Sequence, residues 1–250
     1  MYSEMLLKYA ASNVGLSKKN HNQYACNLMS CRHVYMLTFA YDTLASNGYQ
    51  HQELDKLNIL EIGGGYGNQL HMALQAFGFA SFTSFDLDYV QRFQSFFVSK
   101  NNQILQKRVI QIHHYDVNNR NQYENNHGVL DNVNSIFFVP SPNVNHWRHF
   151  AKHPVTYDLL IATHSLSELP MDDFLMYFYA LLHDDHMGVR WVIYSTSTVD
   201  PNPKESKEKL NIILSKYEIV EKFYTENYYV AHYALRRRQQ SKSRKHGQSL

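Results

Sequence analysis

The stretch Ile59-Leu60-Glu61-Ile62-Gly63-Gly64-Gly65-Tyr66-Gly67-Asn68 limits what this chain can become more than any other. The compact apolar run Leu57–Ile62 ends in glycines and reads as a buried strand. Gln69–Phe77 follows as a helix closed by Gly78. A glycine turn between strand and helix permits unusual φ/ψ angles and lets a ligand approach the backbone. The helix start then offers free N–H groups and the positive end of a dipole. A dinucleotide fingerprint needs G-x-G-x-x-G. Counted from Gly63, its third glycine would fall at Asn68, so the loop reads instead as E-x-G-x-G-x-G through Gly63, Gly65 and Gly67.

The remainder of the chain repeats the strand–helix alternation. Ala80–Asp86, Val109–Tyr115, Tyr157–Thr163 and Trp191–Thr196 read as strands, with helices over Tyr89–Ser99, Asp172–Leu182 and Pro203–Ser215. Tyr217–Phe223 and Tyr228–Leu235 have no helix between them and suit an antiparallel pair. The spacing predicts a long helix over 22–46 and a shorter one over Tyr2–Ala10. Apolar strands alternating with helices mean a doubly wound, mostly parallel sheet, which binds ligands at the carboxyl ends of its strands. The expected organisation is a helical cap over 1–50, a ligand-binding domain over 51–235 and a basic tail over 236–250. An Asn-rich insertion spans 118–150, with nine Asn in residues 118–145 and one embedded strand at the apolar island Ser135–Val139.

Composition removes several classes. With 250 residues, 44% hydrophobic and rich in Tyr and Phe, the chain can bury one sizeable core. Two cysteines, Cys26 and Cys31, cannot staple a secreted module. No apolar run approaches the roughly 18 residues of a membrane span, and no signal peptide is visible. A cytoplasmic protein is expected. The net charge of +2 conceals an asymmetry, since residues 236–250 hold six Lys/Arg and no acid, leaving the body at −4. A globally basic nucleic-acid surface is therefore not expected, although the tail could contact an anionic partner.

Two further segments carry chemistry. Asp86 stands 19 residues past Gly67 at the end of its strand. An acid so placed bonds ribose hydroxyls in nucleotide-binding sheets; the alternative is a helix N-cap or a solvated turn acid. Glu61 is a charge inside an apolar strand, costly unless paired, and could cap local N–H groups. The strand Tyr157–Thr163 runs into the polar loop His164-Ser165-Leu166-Ser167-Glu168 at the ligand edge of the sheet. His titrates near neutrality, which makes His164 the first candidate base. Glu168 could orient that ring, hold a hydroxyl, or be the base itself.

The E-x-G-x-G-x-G loop after the first strand, with Asp86 downstream, resembles class I S-adenosylmethionine (SAM) methyltransferases. Joined to the D-L-x-I-x-T-H-S-x-S-E segment from Asp158 to Glu168, it resembles the sugar O-methyltransferases within that class. The resemblance covers roughly residues 25–235 by the elements above. It implies a Rossmann-like, doubly wound, mostly parallel seven-stranded sheet with an antiparallel C-terminal edge strand and N-terminal helices. It implies SAM as cofactor, bound by Glu61, Gly63, Gly64, Gly65, Gly67, Asp86, Leu87, Asp116 and Thr163. It implies a sugar-like acceptor held by His164, Ser165 and Glu168, with His164 and Glu168 as catalytic groups and no metal. Asp116 holds its place only if Val109–Tyr115 is the third strand; if the island before Pro140 takes that position, Asp116 is a loop acid. The Asp/Asn-Pro-Pro-aromatic stretch of base amino-methyltransferases is replaced here by Thr163-His164-Ser165-Leu166. No stable nucleic-acid partner is therefore expected. Methylation of RNA or a basic protein, and a non-catalytic binding subunit, are the competing readings.

The weaker signals are histidine pairs and helix 22–46. His149/His153 and His183/His186 have no acid or cysteine at convincing metal-ligand spacing. Helix 22–46 would cover the sheet or the cleft, where Tyr24, Arg32 or His33 could touch substrate.

Overall fold

The computed structural model describes residues 28–54, 56–65, 67–76, 79–101, 108–111, 135–141, 144, 157–183, 188–197, 202–224 and 230–239. Among the described residues eight strands form one sheet: β1 (Asn58–Ile62), β2 (Ser81–Asp86), β3 (Arg108–Gln111), β4 (Ser135–Pro140), β5 (Leu159–Thr163), β6 (Trp191–Ser197), β7 (Tyr217–Tyr224) and β8 (Val230–Arg237). Their spatial order is β3-β4-β2-β1-β5-β6-β8-β7. The pairings from β3 across to β6 are all parallel, whereas β8 runs antiparallel to both β6 and β7. The helices among the described residues are α1 (Leu28–Ser46), α2 (His51–Leu54), α3 (Asn68–Ala76), α4 (Asp88–Asn101), α5 (Ser165–Glu168), α6 (Met171–Tyr177) and α7 (Pro203–Leu214). A π-helical stretch, Phe178–Leu182, prolongs α6. The chain has the Rossmann-like, doubly wound fold expected from its sequence.

The central strands are buried on both sides, so successive residues serve opposite faces. Ile59 and Ile161 pack with Leu37 and Phe39 of α1 and Leu70 and Ala73 of α3. Leu60, Leu160 and Ala162 pack the other way, onto Phe174 of α6, Phe178 and Leu182. Each large apolar side chain buried so contributes about 1.5–3 kcal/mol. Glu61 interrupts this pattern at 2% exposure.

The strand count and edge differ from expectation. The sheet has eight strands rather than seven, because the island in the Asn-rich segment forms β4 beside β2 and displaces β3 to the margin. Ile136, Phe137, Phe138 and Val139 are all buried, so this run fills a two-sided position whatever its flanks contain. The C-terminal strand β8 lies inside the sheet and β7 forms the edge. Strand β8 also runs two residues past Leu235: Arg236 pairs with Glu218 at 2.6 Å, and its guanidinium lies 5.9 Å from the Trp191 ring. Asp116, Tyr2–Ala10, Cys26, Tyr24, His149, His153 and His186 lie outside the described residues.

The order β2-β1-β5 defines the switch point. From β1 the chain passes to β2 and on to the marginal β3, turns back to β4 between those two, then crosses to β5 on the opposite side of β1. The carboxyl ends of β1 and β5 therefore lie side by side, at the position where such sheets bind ligands.

Candidate active site

At the end of β1 the chain turns through the glycine loop. Gly63 has φ +73°, and a Cβ there would stand 2.3 Å from that of Ser165. Gly64 has ordinary backbone angles, but its Cβ would fall 2.1 Å from Glu61 Oε2. The first position needs glycine for conformation and space, the second for space alone. Gly63 N–H donates to the Phe85 carbonyl at 2.8 Å, tying the turn to β2.

Asp86 closes the loop from the other side. Its Oδ2 accepts from Gly65 N–H at 3.1 Å and from Gln94 Nε2 at 3.2 Å, and its Oδ1 accepts from Leu87 N–H at 2.7 Å. Burial raises the Asp86 pKa, against the lowering effect of these donors. Gln94, on α4, also donates to the Gly65 carbonyl at 2.6 Å and is fully buried. Leu87 is half exposed beside it. Asp88 opens α4 and pairs with Arg92 at 2.9 Å, which removes it from the loop.

Glu61 lies beneath the loop. Ser84 Oγ donates to its Oε2 at 3.5 Å, while Oε1 is buried without a hydrogen-bond partner. Burial and the neighbouring Asp86 charge push its carboxyl up to about 8. A buried acceptor left open is costly, so this atom marks a place for a donor.

At the end of β5, His164 turns the chain with φ +68°, the one non-glycine residue with positive φ among the described residues. Such geometry costs about 1–3 kcal/mol and marks a constrained site. Three bonds hold it. Ser165 Oγ donates to the Ile62 carbonyl, joining the loops after β5 and β1. Ser167 Oγ and Glu168 N–H both donate to the His164 carbonyl, at 2.7 and 3.0 Å. Lys209 of α7, 3% exposed and paired with Glu205 at 2.8 Å, donates to the carbonyls of Ser167 and Leu169.

These segments meet in a cavity of about 240 Å³ lined by Gly63, Gly64, Gly65, Thr163, His164, Ser165 and Glu168, with Arg32 and His33 from α1. Burial, helped by the Arg32 charge, pulls both His33 and His164 down to about 4. Both rings are neutral at pH 7. His33 Nδ1 lies 3.2 Å from Asn68 Nδ2, so an Asn donor fixes its lone pair. No hydrogen bond joins the side chains of His164 and Glu168, which share the cavity independently. Asp86 and Glu61 support the loop from behind. Among the described residues no cluster of three or more His, Cys, Asp or Glu could hold a metal.

Sequence reasoning missed Gln94, although Gln91 and Gln94 lie on the buried side of α4 with Val98. Two glutamines in an apolar stripe were the available signal. It also missed His232, described below.

No protein-family profile and no curated protein matches the chain. Among solved structures it is similar to a protein assigned as an RNA methyltransferase from Pyrococcus horikoshii, at 9% identity, TM-score 0.54, covering 96% of this chain and 98% of that one. It is also similar to the methyltransferase domain of a bacterial Hen1 protein, at 13% identity, TM-score 0.50, covering 84% and 100%. The chain has a class I methyltransferase fold.

Proposed function

We propose that the protein is a SAM-dependent methyltransferase acting on a hydroxyl of a sugar or similar polyhydroxylated small molecule. The observation that carries this reading is a cavity at the switch point. It joins the glycine loop of residues 63–65 to the Thr163–Glu168 segment, about 100 residues away in the chain.

The residues present fit the cofactor. Glu61 Oε1 is a buried acceptor without a donor and suits the methionine ammonium. Arg32 brings a positive charge to the cavity in front of the glycine loop and suits the carboxylate. Asp86 keeps acceptor capacity on Oδ1 for ribose hydroxyls, and half-exposed Leu87 offers an apolar surface for the base. When bound, SAM supplies a methyl group already activated by its sulfonium.

The chain must then align an acceptor and receive a proton. Positioning contributes several kcal/mol. His164, neutral at pH 7, can accept a hydrogen bond from an acceptor hydroxyl. A ring with a value near 4 is a weak base, so its proton would move late, as the hydroxyl becomes acidic on methylation. Glu168 and Ser165 hold further acceptor hydroxyls in this reading. The adenine contact expected of Asp116 required Val109–Tyr115 as the third strand, a place that β4 takes, so this reading leaves Asp116 out.

Labelled SAM incubated with the protein and a panel of nucleotide-sugars and glycans tests the proposal. Label on a glycan hydroxyl supports it; label found only on RNA or protein overturns the acceptor assignment.

A further inference from the structure

We propose that His232, on the antiparallel strand β8, is a positioning residue that fixes the tautomer and direction of the His164 imidazole. The role of His164 itself rests on the methyl-transfer reading; the geometry of the pair does not. The ladder between β6 and β8 sets Ser195 opposite His232. Ser195 Oγ lies 2.8 Å from His232 Nδ1 and donates to Met36 Sδ at 3.8 Å. A hydroxyl has one proton, and a thioether can only accept. Both contacts are satisfied together only when His232 donates Nδ1–H to Ser195 and Ser195 donates to Met36. That leaves the lone pair of His232 on Nε2.

This nitrogen is buried and has no hydrogen-bond partner, and the same is true of His164 Nε2. The two rings stand 6.3 Å apart and nearly perpendicular, at 84°. His232 cannot turn away easily. Phe223 of β7 stacks on it at 4.5 Å and 22°, and Tyr35 of α1 meets its edge at 6.3 Å. The charged or titratable groups around His164 are Arg32 and His33 from α1, Glu168 from α5 and His232 from β8. Burial also holds His232 neutral at pH 7. Its charge is thus fixed, and its tautomer is what it can impart. With both Nε2 atoms buried and unpartnered on adjoining rings, the lone pair of His232 favours the His164 tautomer that carries its proton on Nε2 and leaves Nδ1 as the acceptor.

Nitrogen NMR of the full chain, isotope-labelled at histidine and observed at about pH 7, reads the tautomers directly. In the wild-type protein His232 is expected as the Nδ1–H form and His164 as one dominant tautomer. In His232→Gln and His232→Phe the His164 tautomer ratio should change by at least about twofold, and in Ser195→Ala the His232 proton should redistribute. Finding the Nε2–H form at His232 in the wild type, or an unchanged His164 ratio in His232→Gln, overturns the proposal. The wild-type spectrum decides even if a variant fails to fold. Calorimetry of the wild type with S-adenosylhomocysteine is read separately: failure to bind removes the methyl-transfer reading, while the imidazole spectra alone judge His232.

Discussion

Replacing Glu61 by Gln should stabilise the ligand-free protein while weakening its cofactor site. The folded chain keeps Glu61 protonated up to about 8, against an ordinary 4.5. Between those values the folded chain binds more protons than the unfolded one, so stability falls as pH rises through the window and levels off above it. At about 1.36 kcal/mol per tenfold change in proton activity, the full penalty at neutral pH is about 3 kcal/mol. Relaxation and water entry leave about 2 kcal/mol of it. Gln carries no such penalty and has nearly the same shape. Scanning calorimetry should then show Glu61→Gln melting about 4–8 °C above the wild type at pH 7 to 8. Near pH 4.5 the two should converge. A variant no more stable than the wild type at pH 8, or equally stabilised at both ends of the range, would refute the reasoning.

Other consequences follow from the same geometry. Gly64→Ala forces a methyl against the Glu61 carboxyl, 2.1 Å away, and should cost about 1–3 kcal/mol in urea unfolding and at least tenfold in affinity for S-adenosylhomocysteine. Arg32→Gln should weaken S-adenosylhomocysteine by about 10–100-fold yet leave 5′-methylthioadenosine, which lacks the amino-acid end, within about twofold; equal losses on both would remove Arg32 from the carboxylate. His33, His164 and His232 all fall from 6.5 to about 4 on folding. The unfolded chain therefore binds more protons in that window, and stability should drop as pH falls through it, by about 2–4 kcal/mol after allowance for partial solvation. In Glu61→Gln, where the opposing carboxyl is gone, a flat urea midpoint between pH 6.5 and 5 would contradict this.

Much of the candidate site was legible because its signals are local. The glycines, Asp86 and the Thr163–Glu168 turn each lie within a few residues of a strand end, and the strand periodicity fixes which end that is. Arg32 and His33 could be nominated from their helix, because a helix covering the sheet reaches the cleft. What sequence reasoning lacked was lateral order. Nothing in Ile136–Val139 states that it pairs with β2 rather than standing at an edge; the pairing follows from filling a position buried on both faces. The same holds for His232, whose meaning comes from Ser195 across the ladder, 37 residues earlier. Arg236 and Arg237 looked like the start of a solvated tail. Their long stems instead reach Trp191, Glu218 and Tyr217, so they belong to β8.

Titration calorimetry of the full chain with S-adenosylhomocysteine, run at pH 7 in two buffers of different ionisation enthalpy, tests the cofactor assignment most directly. Glu61 is protonated there in the free protein, and an ammonium bound to Oε1 would drive it to ionise. One-to-one binding with release of approximately one proton is expected, the release vanishing in Glu61→Gln. No detectable binding at millimolar ligand, or binding without proton release, would contradict it.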